Sequence, residues 1–288
     1  MVSAAANQGD KRAADGTIPR TEIFTIEVDG QRVRVGIRRG LPESTPLLIL
    51  NGIGANLELV EPFTAALGDI ESVVFDVPGT GGSPAPLLPY RLFTMASLAN
   101  RLMTQLGYTG QVDVLGVSWG GALAQQFARQ YPERCRRLVL AATAPGAVMI
   151  PGRLSAIGHL LSPRRYLDRA HLGKVGPSLY GGTFRKKPEL LLEHIKHIQP
   201  PRGRGYSYQL LAAWGWTSIF WLRSLRQPTL LMAGTDDPIV PVINAKIMAR
   251  LIPKTRLYVI DDGHLFLVAR AREVAPVVRQ FLREIDPT

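Results

Sequence analysis

The chain has 288 residues, 46% of them hydrophobic, with a single cysteine and a formal net charge of +11. That length supports one large core without a split into independent folding units, although a smaller inserted subdomain is compatible with it. A lone Cys135 excludes an intrachain disulfide framework, and no run approaches the roughly 20 apolar residues of a membrane span.

Residues 1–20 are rich in Ala, Gly and charge and lack the apolar core of a secretory signal, so a disordered N-terminal tail on a cytoplasmic protein is expected. Two alternating segments follow, Thr21 to Val28 and Gln31 to Arg38. They flank Asp29-Gly30, a pair that closes β-hairpins. The rhythm then changes to short, continuous apolar runs: Pro46 to Asn51, Ser72 to Val77, Val112 to Val117, Leu138 to Ala142, Thr229 to Ala233 and Leu257 to Ile260. Runs apolar on both faces suit the buried strands of a parallel sheet. Helical patterns lie between most of them, at Thr94 to Leu106, Gly120 to Tyr131, Val242 to Leu251 and Arg272 to Ile285. The expected class is α/β, with a mostly parallel central sheet flanked by helices.

The rhythm breaks between Gly146 and Arg226. This stretch has no strand runs and is too long for a loop. We read 146–226 as a helical cap (lid) inserted into a core made of 21–145 and 227–288, over the sheet edge where α/β ligand sites lie. Within it, Pro151 to Arg226 holds thirteen Lys and Arg against three acids, which accounts for most of the net charge. Such a face attracts polyanions or anionic lipid surfaces, or is simply solvated. No nucleic-acid module accompanies it, so no nucleic-acid partner is expected. Trp214, Trp216 and Trp221 also fall here. His194 and His197 have no third ligand nearby, so no metal is expected, and no motif implies a cofactor.

The chemistry centres on Gly116-Val117-Ser118-Trp119-Gly120. A serine between a buried strand and a helix, with small residues at −2 and +2, fits a sharp turn that projects a nucleophile from the sheet edge. Serine needs a base to take its proton and a third group to orient that base. Of the five histidines, His264 alone follows a late strand, in Asp261-Asp262-Gly263-His264. The acid is Asp236 or Asp237, after the strand Thr229 to Ala233. Pro238 favours an extended backbone at Asp237, which is preferred, and Asp236 is expected to shape the turn. The oxyanion hole is expected from the backbone N–H of Trp119 and of Ile53, in the glycine-bearing run Asn51-Gly52-Ile53-Gly54. The order Ser, Asp, His is that of the α/β-hydrolase fold, in which an Asp nucleophile would instead mean dehalogenase or epoxide chemistry.

The resemblance goes beyond the fold. The segments Leu50 to Val60, Gly116 to Ala128, Ala141 to Met149, Ser162 to Tyr166, Tyr180 to Gly182, Gly215 to Ser218 and Asp261 to Leu267 resemble the intracellular poly(3-hydroxyalkanoate) depolymerases that act on medium-chain polyester. Asn51, where many α/β-hydrolases have His, is a feature of that family. The resemblance implies a Ser118, Asp237, His264 triad and cleavage of ester bonds of a hydrophobic polyester or its oligomers. It also implies a cytoplasmic enzyme whose basic cap meets an anionic granule surface. Asn51, Trp119, Trp214 and Trp216 would line the substrate pocket. A carboxylesterase or C–C bond hydrolase for a soluble metabolite is the alternative, and a non-catalytic ligand receptor a more distant one.

Overall fold

The computed structural model describes residues 20–284. The expected disordered tail lies, but for Arg20, outside the described residues. β1 (Glu22–Val28) and β2 (Gln31–Arg38) form an antiparallel hairpin. Asp29 and Gly30 both take positive φ, 49° and 76°, the backbone that a two-residue hairpin turn demands.

The other strands are β3 (Leu47–Leu50), β4 (Ser72–Phe75), β5 (Val112–Val117), β6 (Cys135–Ala141), β7 (Thr229–Gly234) and β8 (Thr255–Ile260). They make one eight-stranded sheet in the order β1-β2-β4-β3-β5-β6-β7-β8. β2 meets β4 antiparallel, and every pair from β4 to β8 is parallel. β6 starts three residues before its apolar run. Arg136 and Arg137 disguised it: Arg136 pairs with Asp113 of β5, and Arg137 is buried with its guanidinium over the Phe281 ring. β8 also starts early, at Thr255: the polar residues Thr255 and Arg256, ahead of its apolar run, already pair with Thr229 and Leu230 of β7.

Helices cover both faces of the sheet. α1 (Glu61–Leu67) and, later, the C-terminal helix pack on one side. α2 (Leu92–Gln105) and α3 (Trp119–Gln130) pack on the other. Between β6 and β7 lie α4 (Leu154–Leu161), α5 (Arg164–Leu167), α6 (Arg169–Tyr180), α7 (Gly182–Lys186), α8 (Pro188–Lys196) and α9 (Gly205–Ala213). After β7 come α10 (Val242–Leu251), α11 (Phe266–Ala269) and α12 (Ala271–Arg283).

The segment from α4 to α9 is fastened to loops at the carboxyl ends of the strands. Asn56 donates to His197 O (3.0 Å) and Arg202 N–H to Gly79 O (3.0 Å). On the other side of the sheet, Thr183 N–H and Oγ1 donate to Asp262, at 2.5 and 2.7 Å. Many of its cations are paired rather than free. Arg164 faces Asp168, Arg185 faces Asp236, Lys186 faces Asp261 and Lys196 faces Glu193. No helix of the described residues is long and apolar enough to cross a membrane.

Candidate active site

β5 runs fully buried to Val117, and the chain turns at Ser118 into α3. Ser118 has φ 55° and ψ −117°, a conformation that costs a residue with a side chain about 1–3 kcal/mol. Its neighbours hold it there. Ser118 N–H donates to Ala141 O (2.9 Å), and its carbonyl accepts from Gly121 N–H (2.9 Å) and Thr143 Oγ1 (2.7 Å). The flanking glycines are required for space. A Cβ on Gly116 would lie 2.6 Å from Ala124 Cβ, and one on Gly120 would overlap the Leu50 carbonyl oxygen.

Two loops bring their side chains to Ser118. The loop after β8 carries His264, whose backbone N–H donates to Tyr180 O at 2.7 Å. Its Nε2 stands 3.0 Å from Ser118 Oγ, and its Nδ1 stands 2.7 Å from Asp237 Oδ2. The loop after β7 carries Asp237. The second oxygen of Asp237 accepts from Ile239 N–H (2.8 Å) and Val240 N–H (2.9 Å), so the buried carboxylate is fixed at both oxygens. Asp236 faces the other way. It accepts from Gly182 N–H (2.8 Å) and from Arg185 (2.8 Å). Partial burial pulls the Asp236 carboxyl up, but the Gly182 and Arg185 bonds outweigh it and hold it below its ordinary value.

Ser118 and His264 open on a cavity of about 650 Å³, its mouth included. Leu59, Val60, Leu160, Ile198 and Leu267 make it largely apolar. Asn51, Arg165, Tyr166, Tyr180 and His194 also line it. Burial, and then the neighbouring His197, push His194 down to about 4, so it is neutral near pH 7. A second cavity, of about 950 Å³ with its open mouth included, adjoins the first across Leu59, His194 and Val268.

The loop after β3 passes beside Ser118: a Cβ on Gly52 would lie 3.6 Å from Ser118 Cβ. Asn51 is buried and donates to Asn56 O at 3.1 Å, which closes the loop on itself. Ile53 lines the cavity, and its carbonyl accepts from Tyr166 Oη (2.6 Å) and Arg165 (3.3 Å). The loop 76–83 braces the hairpin: Ser83 Oγ accepts from Arg34 N–H of β2 at 2.9 Å. Buried Asp76 accepts from Leu57 N–H and Gly82 N–H, both at 2.7 Å, and from Arg34 at 3.1 Å.

The tryptophans need correction. Trp119, Trp214 and Trp216 are not among the described residues that line the cavity. Trp119 is buried, and its indole N–H donates to Gln209 O at 2.9 Å. Trp214 follows the end of α9 in extended backbone and is 79% exposed. Trp216 donates to Gln126 Oε1 (2.9 Å) and packs edge-on against Trp221. Tyrosines take the place expected for them. Tyr166 and Arg165 lay inside the Ser162–Tyr166 motif, but nothing in the motif marked them as pocket residues. Gln209 had no signal at all, since both of its contacts are to residues far away in the chain.

The alpha/beta hydrolase fold family matches residues 45–269. The chain is 53% identical, over 93% of its length and 95% of the relative's, to a poly(3-hydroxyalkanoate) depolymerase of Ectopseudomonas oleovorans. It is 32% identical to a 2-hydroxymuconate semialdehyde hydrolase of Pseudomonas putida over 187 residues, 61% of this chain and 64% of that one. The enol-lactonase of Burkholderia xenovorans shares the fold, with a TM-score of 0.79 at 22% identity, over 91% of this chain and all of that one. The chain therefore belongs to the α/β-hydrolase fold family, alongside the poly(3-hydroxyalkanoate) depolymerase of Ectopseudomonas oleovorans.

Proposed function

We propose that this enzyme hydrolyses ester bonds of medium-chain poly(3-hydroxyalkanoate) or its oligomers through an acyl-enzyme on Ser118. The observation that carries the reading is the hydrogen-bonded run Ser118, His264, Asp237 at the mouth of an apolar cavity. It stands in a chain 53% identical to a poly(3-hydroxyalkanoate) depolymerase.

In this reading His264 takes the proton of Ser118 Oγ as the oxygen attacks the ester carbonyl. Asp237 holds the imidazole by Nδ1 and stabilises the imidazolium that forms. The carbonyl oxygen becomes an oxyanion, which the backbone N–H groups of Trp119 and Ile53 receive. Ile53 N–H is without an acceptor among the described residues, as a donor reserved for substrate should be. His264 then returns the proton to the leaving alkoxide, and water enters to release the acyl group by the same steps in reverse.

The segment 146–226 acts as a cap on the 21–145 and 227–288 core. Its Leu160, Tyr166, Tyr180 and Ile198 wall the cavity and suit an alkyl side chain. The adjoining cavity offers room for a further repeat unit. The enzyme works in the cytoplasm on polyester granules, with exposed cations of the cap toward their anionic coat.

The test is release of 3-hydroxyoctanoate from amorphous poly(3-hydroxyoctanoate). Cleavage of p-nitrophenyl octanoate with no release from the polymer contradicts the polyester reading. The similarity to a 2-hydroxymuconate semialdehyde hydrolase favours a second reading, cleavage of a C–C bond in a soluble dienone. Ring-cleavage dienones in the same assay discriminate the two.

A further inference from the structure

Among the described residues, Arg165 is the one side chain lining the cavity beside Ser118 that carries a permanent charge. It sits on α5, only 4% exposed. A buried cation normally finds an anion, because the desolvation of its charge is otherwise uncompensated. Among the described residues Arg165 finds none. Its Nη2 donates to Ile53 O at 3.3 Å, and its Nε has no acceptor. The guanidinium lies 4.7 Å from the ring centre of Tyr166 and 5.9 Å from that of Tyr206. These faces attract a cation but supply no counter-charge. Burial pushes both phenols above their ordinary value, so they stay neutral. The acid nearest to it in the chain, Asp168, is committed to Arg164 and to His171 N–H.

We infer that Arg165 binds a carboxylate of the substrate, and that this carboxylate is the free end of the polyester chain. The inference rests on the depolymerase reading and adds the end of the chain at which cleavage begins. The chemistry fixes which half carries the charge. A 3-hydroxyacyl group bound to Ser118 has a hydroxyl or a further ester but no carboxylate. The alcohol that leaves from the last ester of the chain does have one, two carbons from the oxygen that leaves. Arg165 contacts the carbonyl of Ile53, whose own N–H faces the site of the oxyanion in the proposed mechanism. Arg165 lines the same cavity as Ser118 and His264. Ser118 Oγ bonds to the acyl carbon, the ester C–O bond breaks, and the leaving oxygen takes the proton from His264. The first product is then a 3-hydroxyalkanoate whose carboxylate is still on Arg165. Water hydrolyses the acyl-enzyme and returns a chain one unit shorter, with a new carboxyl end for the next cycle.

The test uses the 3-hydroxyoctanoate dimer as free acid and as methyl ester, with cleavage of the internal ester read in both; the methyl ester lacks the terminal charge. Wild-type enzyme is expected to favour the acid in kcat/KM by on the order of 10- to 100-fold, the value of hydrogen bonds to a charged group. Arg165→Met should bring the acid-to-ester ratio close to one, mainly through KM for the acid. Arg165→Lys should restore part of it, since it keeps the charge but loses the planar fork. A second arm needs no variant: 3-hydroxyoctanoate should inhibit wild-type cleavage of p-nitrophenyl octanoate more strongly than 3-hydroxyoctanamide does. Equal cleavage of both dimers by wild type, with equal inhibition by acid and amide, overturns the assignment and leaves the esterase reading standing. An acid-to-ester ratio unchanged in Arg165→Met also overturns it and makes Arg165 a brace for the Ile53 loop. Cleavage of neither dimer overturns both readings.

Discussion

Gln209 Oε1 accepts a hydrogen bond from Gly54 N–H at 2.7 Å, and the carbonyl of the same residue accepts from the Trp119 indole at 2.9 Å. One fully buried residue of α9 thus joins the two segments expected to hold the oxyanion, by its side chain on one and its backbone carbonyl on the other. The segment between β6 and β7 is therefore tied both to the loop after β3 and to the turn at Ser118. Gln209→Leu removes the Gly54 bond and keeps the volume. It should lower kcat on p-nitrophenyl octanoate by about 10-fold with a smaller change in KM, because the loss falls on transition-state stabilisation. Steady-state kinetics check this, and a change in KM alone argues against the coupling.

Ser118→Ala and His264→Ala should each lose on the order of 10⁶ in kcat, since the groups act as a unit. Asp237→Asn should lose roughly 10⁴ by permitting the wrong histidine tautomer. Asp236→Asn should leave kcat within about threefold, because it touches Gly182 and Arg185 rather than His264. Side-by-side turnover of the two asparagine variants distinguishes the two carboxylates.

Gly120 lies against β3, where a Cβ would meet the backbone oxygens of Leu50 and Asn51. Backbone cannot rotate aside as a side chain can. Gly120→Ala should therefore destabilise the fold by about 3 kcal/mol through overpacking. Urea denaturation reads the loss. Gly110→Ala, where nothing lies within 4 Å, is the control.

At the opposite end of β5, Asp113 is buried and pairs with Arg136 through both oxygens. Burial dominates and pushes its carboxyl up from 3.8 to about 6, with Arg136 opposing. The folded state thus holds this proton more tightly than the unfolded chain. The resulting stabilisation is present below about pH 4 and is lost as pH rises through about 6. The stability of wild type relative to Asp113→Asn should fall by roughly 3 kcal/mol between pH 4 and pH 7. Urea titrations of both proteins at several pH values measure it. A difference that rises with pH means that the Arg136 pairing outweighs burial.

The sheet was legible because its strands are buried on both faces and therefore read as uninterrupted apolar runs. β5 and α10 have the boundaries that the pattern implies. β6 was clipped because Arg136 and Arg137 satisfy their charges through Asp113 and Glu284, contacts that a local pattern does not contain. At the site, Ser118 was legible because a strained strand-to-helix turn imposes its small neighbours in sequence. His264 and Asp237 followed from chain order, and they lie with Ser118 in one hydrogen-bonded run. The residues around the cavity were not legible. Trp214 has the composition of a pocket residue, but the end of α9 turns it outward. Arg165, Tyr166 and Gln209 matter through contacts with Ile53, Gly54 and Trp119, more than 80 residues away in the chain.

The most direct test of the central claim is mass spectrometry of wild-type enzyme acid-quenched during turnover of amorphous poly(3-hydroxyoctanoate). The account predicts 3-hydroxyoctanoyl units attached to the peptide that contains Ser118, and none in Ser118→Ala. Steady release of 3-hydroxyoctanoate by Ser118→Ala, or an adduct on another residue, would contradict it.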